Sequence, residues 1–168
     1  IITEDRTVSG FDRVNLSGFG DVTIEQGDTE SLSVSTDDNI MPYVTTEVKN
    51  NTLILSLESK GWDRSFEPTD SIKFNLVVTD LSRVYISGAG TMIVDGLVTE
   101  KLRADLLGAG SLEISSLTAD ELIVNQSGAG IVFASGQVKG QELTHSGVGS
   151  YHAGDLESET AIVEVSGA

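Results

Sequence analysis

The chain has 168 residues, 39% of them hydrophobic, and a formal net charge of −16 from 26 acidic and 10 basic side chains. That length suits one domain with a sizeable core, and the charge excludes the positive footprint that nucleic acid or bare anionic lipid requires. The absence of cysteine excludes disulfides and thiol nucleophiles, and no stretch is long and apolar enough to span a membrane.

The first signal in chain order is Arg13-Val14-Asn15-Leu16, which alternates apolar with polar as a half-buried strand does. It runs into Ser17-Gly18-Phe19-Gly20 and then into Val22 and Ile24, which alternate again. Ser31–Ser35, Thr52–Leu57 and Ser71–Leu76 predict three further strands, and Lys49-Asn50-Asn51 is a turn signal before the second of them. Residues 61–68 read as a longer loop. Scarce aromatics (5%) and many Val, Ile, Leu, Thr and Ser residues favour strands over helices.

From Ser87 onward the small-Gly-small-Gly pattern returns at a fixed interval. Its first glycines stand at 88, 108, 128, 147 and 167, spaced by 20, 20, 19 and 20 residues. Before each copy lie two inward positions, such as Val84 and Ile86 or Val124 and Gln126. After it lie two more, such as Met92 and Val94. A period in this range predicts a parallel β-helix, a solenoid of about 20-residue coils with Gly-x-Gly corners. Glycine suits such a corner because it can take positive φ and leaves room for the next rung. A hairpin meander is the alternative. The domain expectation is one unit over 1–168, with longer irregular coils in 1–80 and regular repeats in 81–168. A separate small β domain at the start is the alternative there.

Candidate chemistry is sparse. His145 falls on the inward phase beside Gln126, and His152 lies across the next corner. Neither has carboxylates at metal-ligand spacing, so polar packing is the expectation for both. The acidic pairs Glu4-Asp5, Asp37-Asp38 and Asp120-Glu121 do not share a repeat position, which predicts no carboxylate ladder. Loose calcium binding at Asp21, Asp95, Asp105 or Asp155 is compatible with the composition, but no cofactor is expected. Arg83 and Arg103 are predicted to stack outward, a like-charge cost unless Asp105 flanks them. Tyr43, Trp62 and Phe66 are the candidate sugar-stacking residues, because they lie near loops in the irregular half.

One family matches these pieces in order. They are Gly10-Phe11-Asp12-Arg13-Val14, Asp38-Asn39-Ile40-Met41-Pro42, Thr46–Asn50 and the string of Ser-Gly-Ala-Gly copies. Over nearly its whole length the chain resembles the bacterial putative auto-transporter adhesins, head GIN domain. The resemblance implies a pectin-lyase-like β-helix, an exported or cell-surface location, and adhesion without established enzyme activity. It supplies no functional residues. The expected function is thus a non-enzymatic surface-interaction module whose partner is a glycan or a surface protein, with self-association open and no membrane insertion by this segment. A carbohydrate-active enzyme and a structural assembly module are the alternatives. The abrupt start predicts a trimmed or mature segment, with any leader or anchor outside it.

Overall fold

The computed structural model describes residues 1–58 and 71–168. Among the described residues, thirteen strands form one sheet. They are β1 (Ile2–Arg6), β2 (Arg13–Leu16), β3 (Phe19–Gln26), β4 (Ser31–Thr36), β5 (Val44–Lys49), β6 (Thr52–Leu57) and β7 (Lys73–Val78). The second half adds β8 (Arg83–Ile86), β9 (Ala89–Asp95), β10 (Lys101–Leu106), β11 (Ala109–Gln126), β12 (Ala129–His145) and β13 (Val148–Val165). A 3-10 turn spans Met41–Tyr43.

The order across the sheet is β1-β4-β7-β3-β9-β11-β10-β8-β2-β6-β5. The first half of β11 pairs with β9 and its last six residues pair with β10, so the sheet turns within that one strand. It thereby curls into a nearly closed barrel of mixed orientation, with β1 and β5 at the two ends of the path. β12 follows β11 along both halves, and β13 follows β12.

This corrects the expectation of a parallel β-helix solenoid, and with it the pectin-lyase-like assignment. Three neighbouring pairs, β1–β4, β4–β7 and β5–β6, run antiparallel. Nor do the strands stack in chain order: β2 lies between β6 and β8. The glycine motifs supply a physical reason. A Cβ on Gly88 would overlap the Gly18 carbonyl oxygen, and one on Gly90 would overlap that of Gly20. Two bare backbones therefore pack against each other, and the first motif copy seats directly on the second. Everything between the copies is pushed outward, β6 beyond β2 and β7 beyond β3.

The turn signal at Lys49-Asn50-Asn51 closes the β5–β6 hairpin. Asn50 and Asn51 both take positive φ, 52° and 61°, as a two-residue hairpin turn needs. Inward residues from all parts of the sheet form one buried cluster. Val14, Leu53, Val84, Ala104 and Val124 lie along one wall, and Val22, Phe74, Met92, Leu112 and Val132 along the other. Each buried side chain of this size contributes about 1.5–3 kcal/mol, so the shared interior dominates stability.

Candidate functional site

An open groove of about 1270 Å³ marks one face. It runs along the turns that carry the chain from the β9 wall back to the β10 wall. Its lining recurs rung by rung: Asp80, Glu100 and Asp120 occupy the same position, and Lys139 and Glu159 continue the row. All five are exposed. This overturns the expectation of no carboxylate ladder. The signal was present in the sequence as a second 20-residue period, at 80, 100 and 120, of which only Asp120 falls on an adjacent acidic pair.

Neighbouring rungs lie roughly 4.8 Å apart, so unrelieved carboxylates in a row repel. The fold relieves them one at a time. Asp80 Oδ1 accepts from the Leu81 amide at 2.8 Å and from the Thr99 hydroxyl at 3.0 Å. Asp120 pairs with Lys139 at 3.2 Å. Beside the row, Gln137 donates to Glu157 at 3.3 Å. Gln26 closes one end of the groove. It donates to the Val98 carbonyl and accepts from the Val98 amide, each at 3.0 Å, and so imitates a missing strand neighbour. Glu100 and Glu159 have no such partner among the described residues. The groove thus offers acceptors in excess of donors along an extended path.

A second feature lies on the outward face of β2, β8 and β10. Arg13, Arg83 and Arg103 stand in register there. Arg83 Nε donates to Asp105 Oδ2 at 2.8 Å, and Arg103 Nε donates to the same oxygen at 3.1 Å. The flanking role expected of Asp105 is what the structure shows. Its side chain is 1% exposed beneath the two guanidiniums, and the Arg83 guanidinium also covers the Tyr85 ring at 4.5 Å. The carboxylate is thus tied on both sides and sealed from solvent.

The two histidines do not face each other. His145 is buried, and its Nε2 lies 3.4 Å from the Ala168 carbonyl. The neighbouring Gln126 is fully buried and donates to the Gly130 carbonyl at 2.8 Å. His152 is exposed, and its Nε2 lies 3.1 Å from the Ser150 hydroxyl. No carboxylate orients the other ring nitrogen among the described residues, so the Ser150–His152 pair lacks the third member of a hydrolytic triad. Nor does any group of three or more His, Cys, Asp or Glu side chains gather to hold a metal ion among the described residues. Tyr43 ends the 3-10 turn, half-buried, and its carbonyl accepts from the Glu58 amide at 2.8 Å. The other two sugar-stacking candidates, Trp62 and Phe66, lie outside the described residues.

The family model of the putative auto-transporter adhesin, head GIN domain, matches residues 10–168. The chain belongs to this family. The GIN-domain chain also matches solved structures. A putative adhesin from Bacteroides fragilis is 27% identical with a TM-score of 0.90, over 99% of this chain and 77% of that one. A putative adhesin from Parabacteroides merdae (19% identity, TM-score 0.67) matches 99% of this chain and 78% of its own. A putative lipid binding protein from Parabacteroides distasonis (20% identity, TM-score 0.59) matches 99% and 94%. The last two show a shared fold alone. No curated protein sequence matches the chain. Among the described residues, no helix is long and apolar enough to cross a membrane.

Proposed function

We propose that this GIN-domain chain is a non-enzymatic interaction module, exported to the bacterial surface, that engages an extended partner along the acidic groove. The carrying observation is the row Asp80, Glu100, Asp120, Lys139 and Glu159, which repeats hydrogen-bonding groups at one rung spacing over five rungs. A linear glycan or an extended segment of a surface protein would meet a charged, hydrogen-bonding side chain at each step, a carboxylate at four of the five. Binding would then accumulate from many modest contacts rather than one deep pocket. Polyanions are disfavoured by the net charge of −16.

The test is binding of the purified chain to a glycan and matrix-protein array, with and without calcium. A selective hit that the Glu100→Gln/Asp120→Asn double variant weakens at least tenfold is the expected result. Loss of the hit in Trp62→Ala instead would move the contact to the aromatic set of Tyr43, Trp62 and Phe66. Turnover of a polysaccharide by the pure protein would overturn the non-enzymatic reading.

A further inference from the structure

The outward face of the β9 wall carries an aromatic pair that neither the groove nor the fold uses. Glu113 on β11, Phe133 on β12 and His152 on β13 occupy one register position on three successive rungs. The Phe133 and His152 rings stack with centroids 4.9 Å apart and planes 16° from parallel. That spacing matches one rung, so the stack runs along the ladder and the other face of Phe133 turns toward Glu113. Phe133 is 42% exposed, so its second ring face stays open beside the stacked His152. With Ser135 and Asp155, these three residues line a pocket of about 490 Å³.

Both carboxylates of this pocket are unpaired. Neither Glu113 nor Asp155 makes an ion pair or hydrogen bond among the described residues. His152, by contrast, is steadied by its 3.1 Å contact with Ser150. An aromatic face beside free carboxylates is complementary to a cation, through the ring quadrupole and the charges together. A neutral sugar could stack on the ring but would leave both charges uncompensated, and an anion would be repelled.

We infer that the Phe133–His152 platform is a cation-accepting site that takes the guanidinium or ammonium group of an arginine or lysine in a basic segment of a partner protein. The cation sits against Phe133, between the ring and Glu113, with Asp155 at the rim. The site is on a different face from the acidic groove, and its existence does not depend on what the groove binds.

The experiment is a titration of the whole chain with a tetra-arginine peptide, followed by NMR of the aromatic side chains, with the citrulline analogue and maltotriose as comparisons. Saturable shifts of the Phe133 and His152 ring signals are expected with tetra-arginine alone. Phe133→Leu keeps the apolar bulk and all charges but should weaken that binding about threefold or more, and Phe133→Tyr should restore it. Glu113→Gln should weaken it as well. Equal binding by Phe133→Leu would reduce the effect to general attraction by an acidic surface and overturn the inference. Ring shifts with maltotriose and none with tetra-arginine would overturn it in favour of a sugar platform. The Glu100→Gln/Asp120→Asn variant should leave these shifts in place, which separates failure here from failure of the groove.

Discussion

From Gly88 onward, each corner glycine is pressed against the carbonyl of the preceding motif copy. A Cβ on Gly108 would overlap the Gly88 oxygen, which already accepts from the Ala109 amide at 3.0 Å. The Leu107 and Gly108 amides are both held by the Ile86 carbonyl at 2.9 Å, so the backbone has no slack with which to retreat. Gly108→Ala should therefore lose roughly 1–3 kcal/mol or more in urea unfolding, the range of overpacked cores. Gly154 is the control. No atom lies within 4 Å of its added Cβ, and Gly154→Ala should stay within about 0.5 kcal/mol of the parent. Equal losses at both sites would mean that close approach is not why the corners are glycine. The fold also displaces the titration of Tyr151. It points into the end of the interior and donates to Gln141 at 3.1 Å, and burial pushes its phenol up to about 12. The folded state thus holds this proton more tightly than the unfolded chain, whose tyrosine releases it near pH 10. The contribution is complete below pH 10 and is lost as pH rises from 10 to 12. Tyr151→Phe, which has no proton to lose, should flatten that part of a stability-versus-pH curve. A curve of unchanged slope would show that the phenol is hydrated in the fold.

The strands themselves were largely legible, and their partners were not. β6 has the bounds that the Thr52–Leu57 alternation predicts, and β4 extends Ser31–Ser35 by one residue. Alternation reports which face of a strand is buried, however, and carries no information on what lies beside it. The antiparallel course of β4 against β7 therefore had no signature in residues 31–36. β1 gave no signal because four of its five residues are exposed, so nothing alternates. β5 buries only Val44. The 20-residue glycine period did encode a register, since Gly90, Gly110, Gly130 and Gly149 stand opposite one another. Reading residues 1–80 as longer coils of the same parallel solenoid was the error, because β1, β4 and β5 pair antiparallel there. There the single early copy, Gly18 and Gly20, stacks on a partner 70 residues away. Of the candidate site, the Arg83–Asp105–Arg103 cluster was visible because its members share a known register. The Phe133–His152 register was equally legible, since it keeps the 19-residue offset of Gly130 and Gly149, but nothing in the alternation singles out an exposed Phe and an exposed His as a stacked pair.

A barrel that carries 26 acids against 10 bases holds itself together against its own charge. Two opposing effects of salt follow. Screening weakens attractive surface pairs such as Lys139–Asp120 at 3.2 Å and Lys101–Glu121 at 3.6 Å, whose partners are each about half exposed or more. Pairs of that kind contribute about 0–1 kcal/mol each, so little is lost with them. The better-sheltered contact of Arg83 with Asp105 is screened less, because the carboxylate is 1% exposed. Screening also weakens the mutual repulsion of the excess acids, including the row at Asp80, Glu100 and Asp120, and this involves far more groups. Relief of repulsion should win. Raising sodium chloride from about 10 mM, where the Debye length is about 30 Å, to about 150 mM, where it is about 8 Å, should raise the melting temperature. A rise of a few degrees is the expected order, since 1 kcal/mol shifts a domain of this size by about 2–4 °C. Replacing Glu100 with Gln should shrink the salt response while raising the melting temperature at low salt. A melting temperature that falls with added salt would mean that ion pairs outweigh the acid excess, and that the groove's carboxylates are already neutralised by the fold rather than held open for a partner.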